Sequence, residues 1–160
     1  MPLRIEWATE HDLPALVPLF SELYQHDAPP WPMPSPQQMR AHLLRLLEPS
    51  VPHRLAIAWD ADGTALGLAA VATFQSVSDP RLPQGRQMEL KELFVHPAHR
   101  STGVGAALMT WLADLAQAQG VGRIDWHVDD SNARGQAFYQ RMGAQFTPHR
   151  VSMRKQLSDV

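Results

Sequence analysis

The run from residue 90 to residue 108 constrains this chain of 160 residues more than any other part of its sequence. It has the pattern of a strand that ends at Val95, a loop that opens with a proline, and a helix that begins with small residues. Where such a loop enters a helix, free backbone N–H groups point outward and the helix dipole adds about half a positive charge. Gly103 and Gly105 leave that backbone open to a ligand, because neither carries a side chain. The segment from Glu92 to Ala107 is therefore predicted to form a cradle for a diphosphate.

The glycine pattern narrows the choice of nucleotide only in part. A P-loop requires a Gly-Lys pair, and the sequence contains none. The dinucleotide fingerprint G-x-G-x-x-G fails as well, because Leu108 stands where its third glycine would be. What remains is the pattern R-x-x-G-x-G, which Arg100 and the two glycines form. These residues alone predict a diphosphate site and leave the nucleotide open.

The rest of the chain alternates between helical and strand patterns. A proline-rich loop over residues 29–34 separates two helices, the second of which Ser35 is predicted to cap. We predict strands at 4–7, 55–59, 65–75, 87–95 and 123–128, helices at 9–26, 36–47, 103–119 and 133–142, and one or two closing strands within 146–156. This order indicates an α/β fold in which about four helices flank a central mixed sheet. No linker is long enough to separate a second domain, so residues 1–160 are predicted to form one.

Composition excludes several classes of function. Apolar residues make up 44% of the chain and charged residues 19%, which is typical of a globular domain. A net charge of −2 argues against nucleic acid as the main ligand, and no apolar run approaches the roughly 20 residues of a membrane span. The sequence contains no cysteine, which excludes disulfides, thiolate nucleophiles and thiolate metal sites. We expect a cytoplasmic protein without a membrane partner.

Two stretches of sequence resemble the GCN5-related N-acetyltransferase (GNAT) superfamily. The strand ending in Leu-Phe-Val-x-Pro, followed by R-x-x-G-x-G, resembles the family's motif A. The stretch from Ile124 to Gly143 resembles motif B, with a Val-x-x-x-Asn exit at Val128 and Asn132 and a tyrosine at Tyr139. The order of elements also fits, so the resemblance covers nearly the whole chain. It implies the acyl-CoA N-acyltransferase fold over a single GNAT domain.

The resemblance also implies a substrate and a reaction. Acetyl-CoA would be the cosubstrate, no metal would be needed, and acetyl would pass to a primary amine of a small molecule or peptide. The missing cysteine agrees with direct attack in a ternary complex rather than a thioester intermediate. The residues that the resemblance assigns to CoA are Phe94, Val95, Arg100, Ser101, Thr102, Gly103, Val104, Gly105, Ala106, Asn132 and Tyr139.

Three groups are the candidates for catalysis. An amine at neutral pH is mostly ammonium, so direct transfer needs a base or a water chain that leads to one. We expect Glu92, on the strand before the loop, to be the base, and a water chain to a base elsewhere is the alternative. Strict alternation places Glu92 on one face with Leu90 and Phe94, and Glu89 on the other face unless the strand contains a bulge. By resemblance, the Val95 amide donates to the oxyanion and Tyr139 protonates the leaving thiolate.

The acceptor side of the site is the least determined. Trp31, with Met33 beside it, is expected either to line the acceptor pocket or to cover an edge of the core, and His127 is a further candidate for the pocket. His96 and His99 are interpreted as polar loop residues rather than metal ligands. Three questions stay open: whether the chain is a CoA-binding module without catalysis, whether it transfers an acyl group other than acetyl, and whether it forms a homodimer through its closing strands.

Overall fold

The computed structural model describes residues 2–27 and 30–157, so Pro29 of the proline-rich loop lies outside the described part. The chain divides into two units, residues 1–127 and 128–160, and each is described by itself. The first unit holds β1 (Arg4–Trp7), α1 (Leu13–Asp27), α2 (Pro36–Leu46), β2 (His53–Trp59), β3 (Ala65–Gln75), β4 (Arg86–Val95), α3 (Val104–Ala118) and β5 (Val121–Trp126). The second unit holds α4 (Ala133–Arg141).

The five strands form one sheet in the order β1-β2-β3-β4-β5. The first four strands pair antiparallel, whereas β5 runs parallel to β4 after the crossover through α3. Over the residues that the structure describes, the predicted α/β class with a mixed sheet and four α-helices is therefore confirmed.

Helices cover both faces of the sheet. On one face, α1 and α2 bury a cluster that includes Leu16, Leu43, Ile57 and Leu68. On the other face lies α3, whose Leu108 and Leu112 are fully buried. Burial of a leucine side chain contributes about 1.5–3 kcal/mol, so these two clusters hold the helices against the sheet.

Local signals in the sequence explain where several elements begin. The Ser35 hydroxyl accepts from the Gln38 N–H at 3.1 Å, and the Gln38 side chain accepts from the Ser35 N–H at 2.8 Å. This reciprocal capping box satisfies two N–H groups that the start of α2 would otherwise leave unpaired. The β2–β3 turn is fixed similarly, because the Asp60 carboxylate accepts from the Asp62 and Thr64 N–H groups at 2.9 and 2.8 Å.

The predicted closing strands are wrong. Residues 145–157, all of which the structure describes, contain neither strand nor helix. Phe146, Val151, Met153 and Leu157 are 62%, 87%, 93% and 85% exposed, so their side chains do not pack into a core. Apolar alternation stabilises a strand only where a neighbouring strand and a buried face are available. Strand β5 also begins and ends two residues earlier than predicted.

Candidate active site

The predicted cradle lies between β4 and α3. A single 3-10 turn over Pro97–His99 follows β4, and Gly103 precedes the first residue of α3 with a φ of +91°. A Cβ added to Gly103 would have no atom within 4 Å, so the space outside the loop is open at this point. Ser101 also has a positive φ, of 64°. Left-handed residues followed by a helix turn successive N–H groups toward one side, which favours an anion there.

The Arg100 side chain folds back onto the end of β4. Its Nε donates to the Val95 carbonyl oxygen at 3.2 Å, and its guanidinium carbon lies 5.8 Å from the centre of the Phe94 ring. The side chain is half-buried. Arg100 therefore contacts both residues that end the strand, a role that the sequence did not suggest.

The Val95 N–H points away from β3. A Cβ built on Gly67 of β3 would lie 2.6 Å from the Phe94 carbonyl oxygen, so that oxygen faces β3. The N–H of the same trans peptide belongs to Val95 and has the opposite direction. On that side the register between β4 and β5 ends at Leu90 and Trp126, while β4 continues to Val95. The Val95 N–H is thus directed toward the β5 side of β4, beyond the last paired residues.

Gly67 is a site residue that sequence reasoning missed. The same added Cβ would lie 3.3 Å from Val104 Cγ1, at the start of α3. Only a glycine at this position lets β3, the end of β4 and α3 approach so closely. A glycine inside an apolar strand pattern was the available signal.

Glu92 lies half-buried on the face that α1 and α2 cover. It pairs with Ala70 of β3, and both Ala70 and Phe94 belong to the core cluster on that face. Burial raises the pKa of the Glu92 carboxyl, the Asp27 carboxylate raises it further, and a hydrogen bond from the Leu93 backbone lowers it in part. A carboxylate with a raised pKa is a stronger base, which suits proton removal from an ammonium near neutral pH.

A β-bulge changes which residues share that face. Ala70 pairs with Glu92 and Val71 with Leu90, so Lys91 is the extra residue in β4. The expectation that Leu90 shares the face of Glu92 is therefore wrong. Glu89 pairs with Ala72, two residues from Ala70, and so the bulge brings Glu89 to the face of Glu92.

The two carboxylates on this face have different partners. The Lys91 ammonium contacts the Glu89 carboxylate at 3.0 Å. Asp27, the last residue of α1, is the charged group that acts on Glu92. Its neighbour His26 has its ring 6.0 Å from that of Phe94, which places the end of α1 beside the end of β4. No spacing in the sequence indicated this approach, because it depends on how α1 packs on the sheet.

The remaining candidate site residues lie outside β4 and the loop that follows it. Trp31 is 52% exposed in the loop before α2, and His127 follows the end of β5 with its side chain exposed. In the second unit, the Asn132 side chain accepts from the Gly135 N–H at 2.9 Å and caps α4, as its residue type predicts. Tyr139 lies in α4, with its ring 5.1 Å from that of Phe138.

Within residues 2–27 and 30–157, no three His, Asp or Glu side chains are gathered as metal ligands would be. The rings of His96 and His99 lie 5.6 Å apart, and His96 Nδ1 accepts from the Ala98 N–H. Over the same ranges, none of the helices combines the length and the apolar character needed to cross a bilayer.

The fold and the β4–α3 loop match a known family. The sequence matches the Acetyltransferase (GNAT) family over residues 18–144. The chain therefore belongs to the GNAT family, and the resemblance of the two motifs is confirmed at the level of the family.

Individual relatives agree with this assignment. The chain is 36% identical to the streptothricin acetyltransferase of Streptomyces lavendulae over 93 residues, which are 58% of this chain and 45% of the relative. It is 39% identical to an L-ornithine N5-acetyltransferase of Arabidopsis thaliana over 56 residues, 35% of this chain and 25% of the relative. The matches thus span less than half the length of these relatives. Among solved structures, an integron cassette protein from the mobile metagenome of V. cholerae superposes with a TM-score of 0.86 at 26% identity, covering 98% of this chain and 93% of that one.

Proposed function

We propose that this protein transfers the acetyl group of acetyl-CoA to a primary amine of a small molecule or peptide. The observation that carries the proposal is the end of β4 in a member of the GNAT family. One strand and the turn after it carry three groups there: a half-buried carboxylate with a raised pKa, a backbone N–H directed beyond the last paired residues, and a helix start that follows a glycine.

The CoA portion of the donor would be held by backbone groups. The diphosphate would bind at the N–H groups around Gly103 and Gly105, where the helix dipole favours negative charge. The open space outside Gly103 supports this fit. Ser101, Thr102, Val104 and Ala106 would complete the loop. The resemblance of the second motif also assigns Asn132 and Tyr139 to CoA.

The acetyl transfer would proceed in one ternary complex. Glu92 takes a proton from the substrate ammonium, and the freed nitrogen attacks the thioester carbonyl carbon. The oxyanion that forms accepts a hydrogen bond from the Val95 N–H. The carbon–sulfur bond then breaks, and the thiolate takes a proton, for which the family resemblance assigns the Tyr139 hydroxyl. The proton that the attacking nitrogen still carries in excess passes to the Tyr139 phenolate, which restores the tyrosine. The products are an acetamide and CoA, and no covalent bond to the protein is made.

A cationic acceptor suits the electrostatics of the site. Asp27 and Glu92 are both acidic, and the C-terminal end of α1 adds the negative end of a helix dipole. Trp31 and His127 are candidates for contacts with the rest of the acceptor. The names of two relatives specify ornithine and streptothricin as substrates, which supports an amine as the acceptor.

A direct assay tests this proposal. The purified protein is mixed with acetyl-CoA and a panel of amines that includes ornithine, polyamines, aminoglycosides and peptides. Release of the CoA thiol is followed, and the acetylated product is identified by mass spectrometry. We expect turnover with at least one amine. Binding of CoA in calorimetry without turnover across the panel would favour a CoA-binding module instead. Propionyl-CoA and succinyl-CoA in the same assay report the acyl preference.

A further inference from the structure

We propose that the Arg100 side chain is a positioning residue that holds the end of β4, and not a ligand of the diphosphate. This inference rests on the proposed acetyl transfer. It concerns the Val95 N–H, which would donate to the oxyanion and which must keep its direction throughout the reaction.

Arg100 holds the two residues that flank this N–H. Its Nε donates to the Val95 carbonyl oxygen at 3.2 Å, and its guanidinium lies 5.8 Å from the centre of the Phe94 ring. The Phe94–Val95 peptide is constrained from the other side as well, because its oxygen closely approaches Gly67. The peptide is therefore fixed between β3 and Arg100 at the point where β4 has passed its last pairing with β5.

The position of the donor atom separates the two roles. Glutamine and arginine both have a nitrogen four bonds beyond the Cα, so Arg100→Gln retains an N–H donor there and loses the charge. Lysine has a methylene at that point and carries its charge one atom further out, so Arg100→Lys retains the charge and loses the donor. A positioning role requires the donor, whereas a diphosphate contact requires the charge.

The experiment compares Arg100→Gln and Arg100→Lys with the unmodified protein. Calorimetry gives the Kd for CoA, and steady-state kinetics give kcat and KM. The acetyl donors are acetyl-CoA and S-acetylpantetheine, which has the same thioester but no diphosphate. We expect Arg100→Gln to keep kcat within about threefold of the unmodified protein. Arg100→Lys should lower kcat by at least about tenfold, but by less than the roughly 100-fold loss that follows deletion of an oxyanion donor. The Kd for CoA should change less than about threefold in both, and the loss in Arg100→Lys should be equal with both donors.

Three results would overturn the proposal. The first is that CoA binds more weakly to Arg100→Gln but not to Arg100→Lys, while the kinetics of Arg100→Gln with S-acetylpantetheine, which lacks the diphosphate, are unchanged. The second is unchanged kinetics in both variants. The third comes from NMR and does not depend on turnover: the Val95 amide resonance should keep its shift in Arg100→Gln and move in Arg100→Lys, and the reverse pattern rejects the positioning role. If the unmodified protein acetylates no amine, the proposed function fails, and the NMR comparison still tests the role of Arg100.

Discussion

The two halves of β4 differ in how they are paired. From Arg86 to Leu90 the strand lies between β3 and β5, and Met88 and Leu90 are buried there. After the bulge at Lys91 the strand continues beside β3, past the end of its register with β5, and there it carries Glu92 and Val95. The first half contributes to the stability of the sheet. The second half carries a half-buried carboxylate and a backbone N–H that is directed away from β3, which are groups that a reaction site requires.

Substitution of Glu92 should have the largest effect on the second half. Glu92→Gln removes the base, and we expect kcat/KM at neutral pH to fall by roughly 100- to 10,000-fold. The same change should raise Tm at pH 7. Because burial raises the pKa of Glu92 in the folded state, stability is lost as the pH rises from the usual pKa of a glutamate through the raised pKa, and glutamine carries no charge.

Glu89→Gln is the matched control, because the bulge places Glu89 on the same face and Lys91 pairs with it. We expect kcat/KM to change much less in this variant. A larger loss in Glu89→Gln than in Glu92→Gln would assign the base to Glu89.

Substitution in the first half of β4 should lower the stability of the fold and leave kcat nearly unchanged. Met88 is 1% exposed, so Met88→Ala should lower the free energy of unfolding by about 2–5 kcal/mol. Because the chemistry lies beyond the bulge, kcat of the folded fraction should remain close to that of the unmodified protein. Denaturant unfolding and active-site titration measure the two quantities. A large fall in kcat per folded molecule would remove the functional distinction between the halves.

The glycine at the start of α3 separates cofactor binding from stability. Gly105 lies in the first turn of α3. Alanine is the better helix former, so Gly105→Ala should add up to about 1 kcal/mol to the free energy of unfolding. Gly105→Val should instead weaken CoA binding about tenfold, because its larger side chain closes the backbone to the diphosphate. Calorimetry that gives unchanged affinity for CoA would contradict the cradle assignment.

The smallest expected effect is a shift in pH dependence. Asp27→Asn removes the negative charge that raises the pKa of Glu92, so that pKa should fall toward its usual value. The acid limb of the kcat/KM profile, where activity is lost as Glu92 becomes protonated, should move to lower pH. An unchanged acid limb would show that Asp27 does not act on the catalytic base. Asp62→Asn, in the exposed β2–β3 turn, is a control for loss of one negative charge.

The sequence predicted the elements more completely than the site. Ser35, Gly103 and Asn132 carry local signals, because a cap or a left-handed residue needs only its immediate neighbours. The prediction of a diphosphate cradle rests on local signals of the same kind. The bulge at Lys91 breaks the strict alternation of side chains in β4, and it depends on how β4 pairs with β3. The face on which Glu89 lies is therefore given only by the pairing of these two strands. Asp27 approaches Glu92 across about 65 residues of sequence, through packing that no local pattern encodes. The C-terminal prediction failed because residues 145–157 have the alternation of a strand without its pairing.

A crystal structure of the complex with acetyl-CoA would show where the thioester lies relative to β4, and so whether the second half of this strand is the reaction site. We expect the carbonyl oxygen of the thioester about 3 Å from the Val95 nitrogen, with the diphosphate on the N–H groups that begin α3. A thioester bound away from the second half of β4, or a diphosphate away from Gly103 and Gly105, would contradict the account.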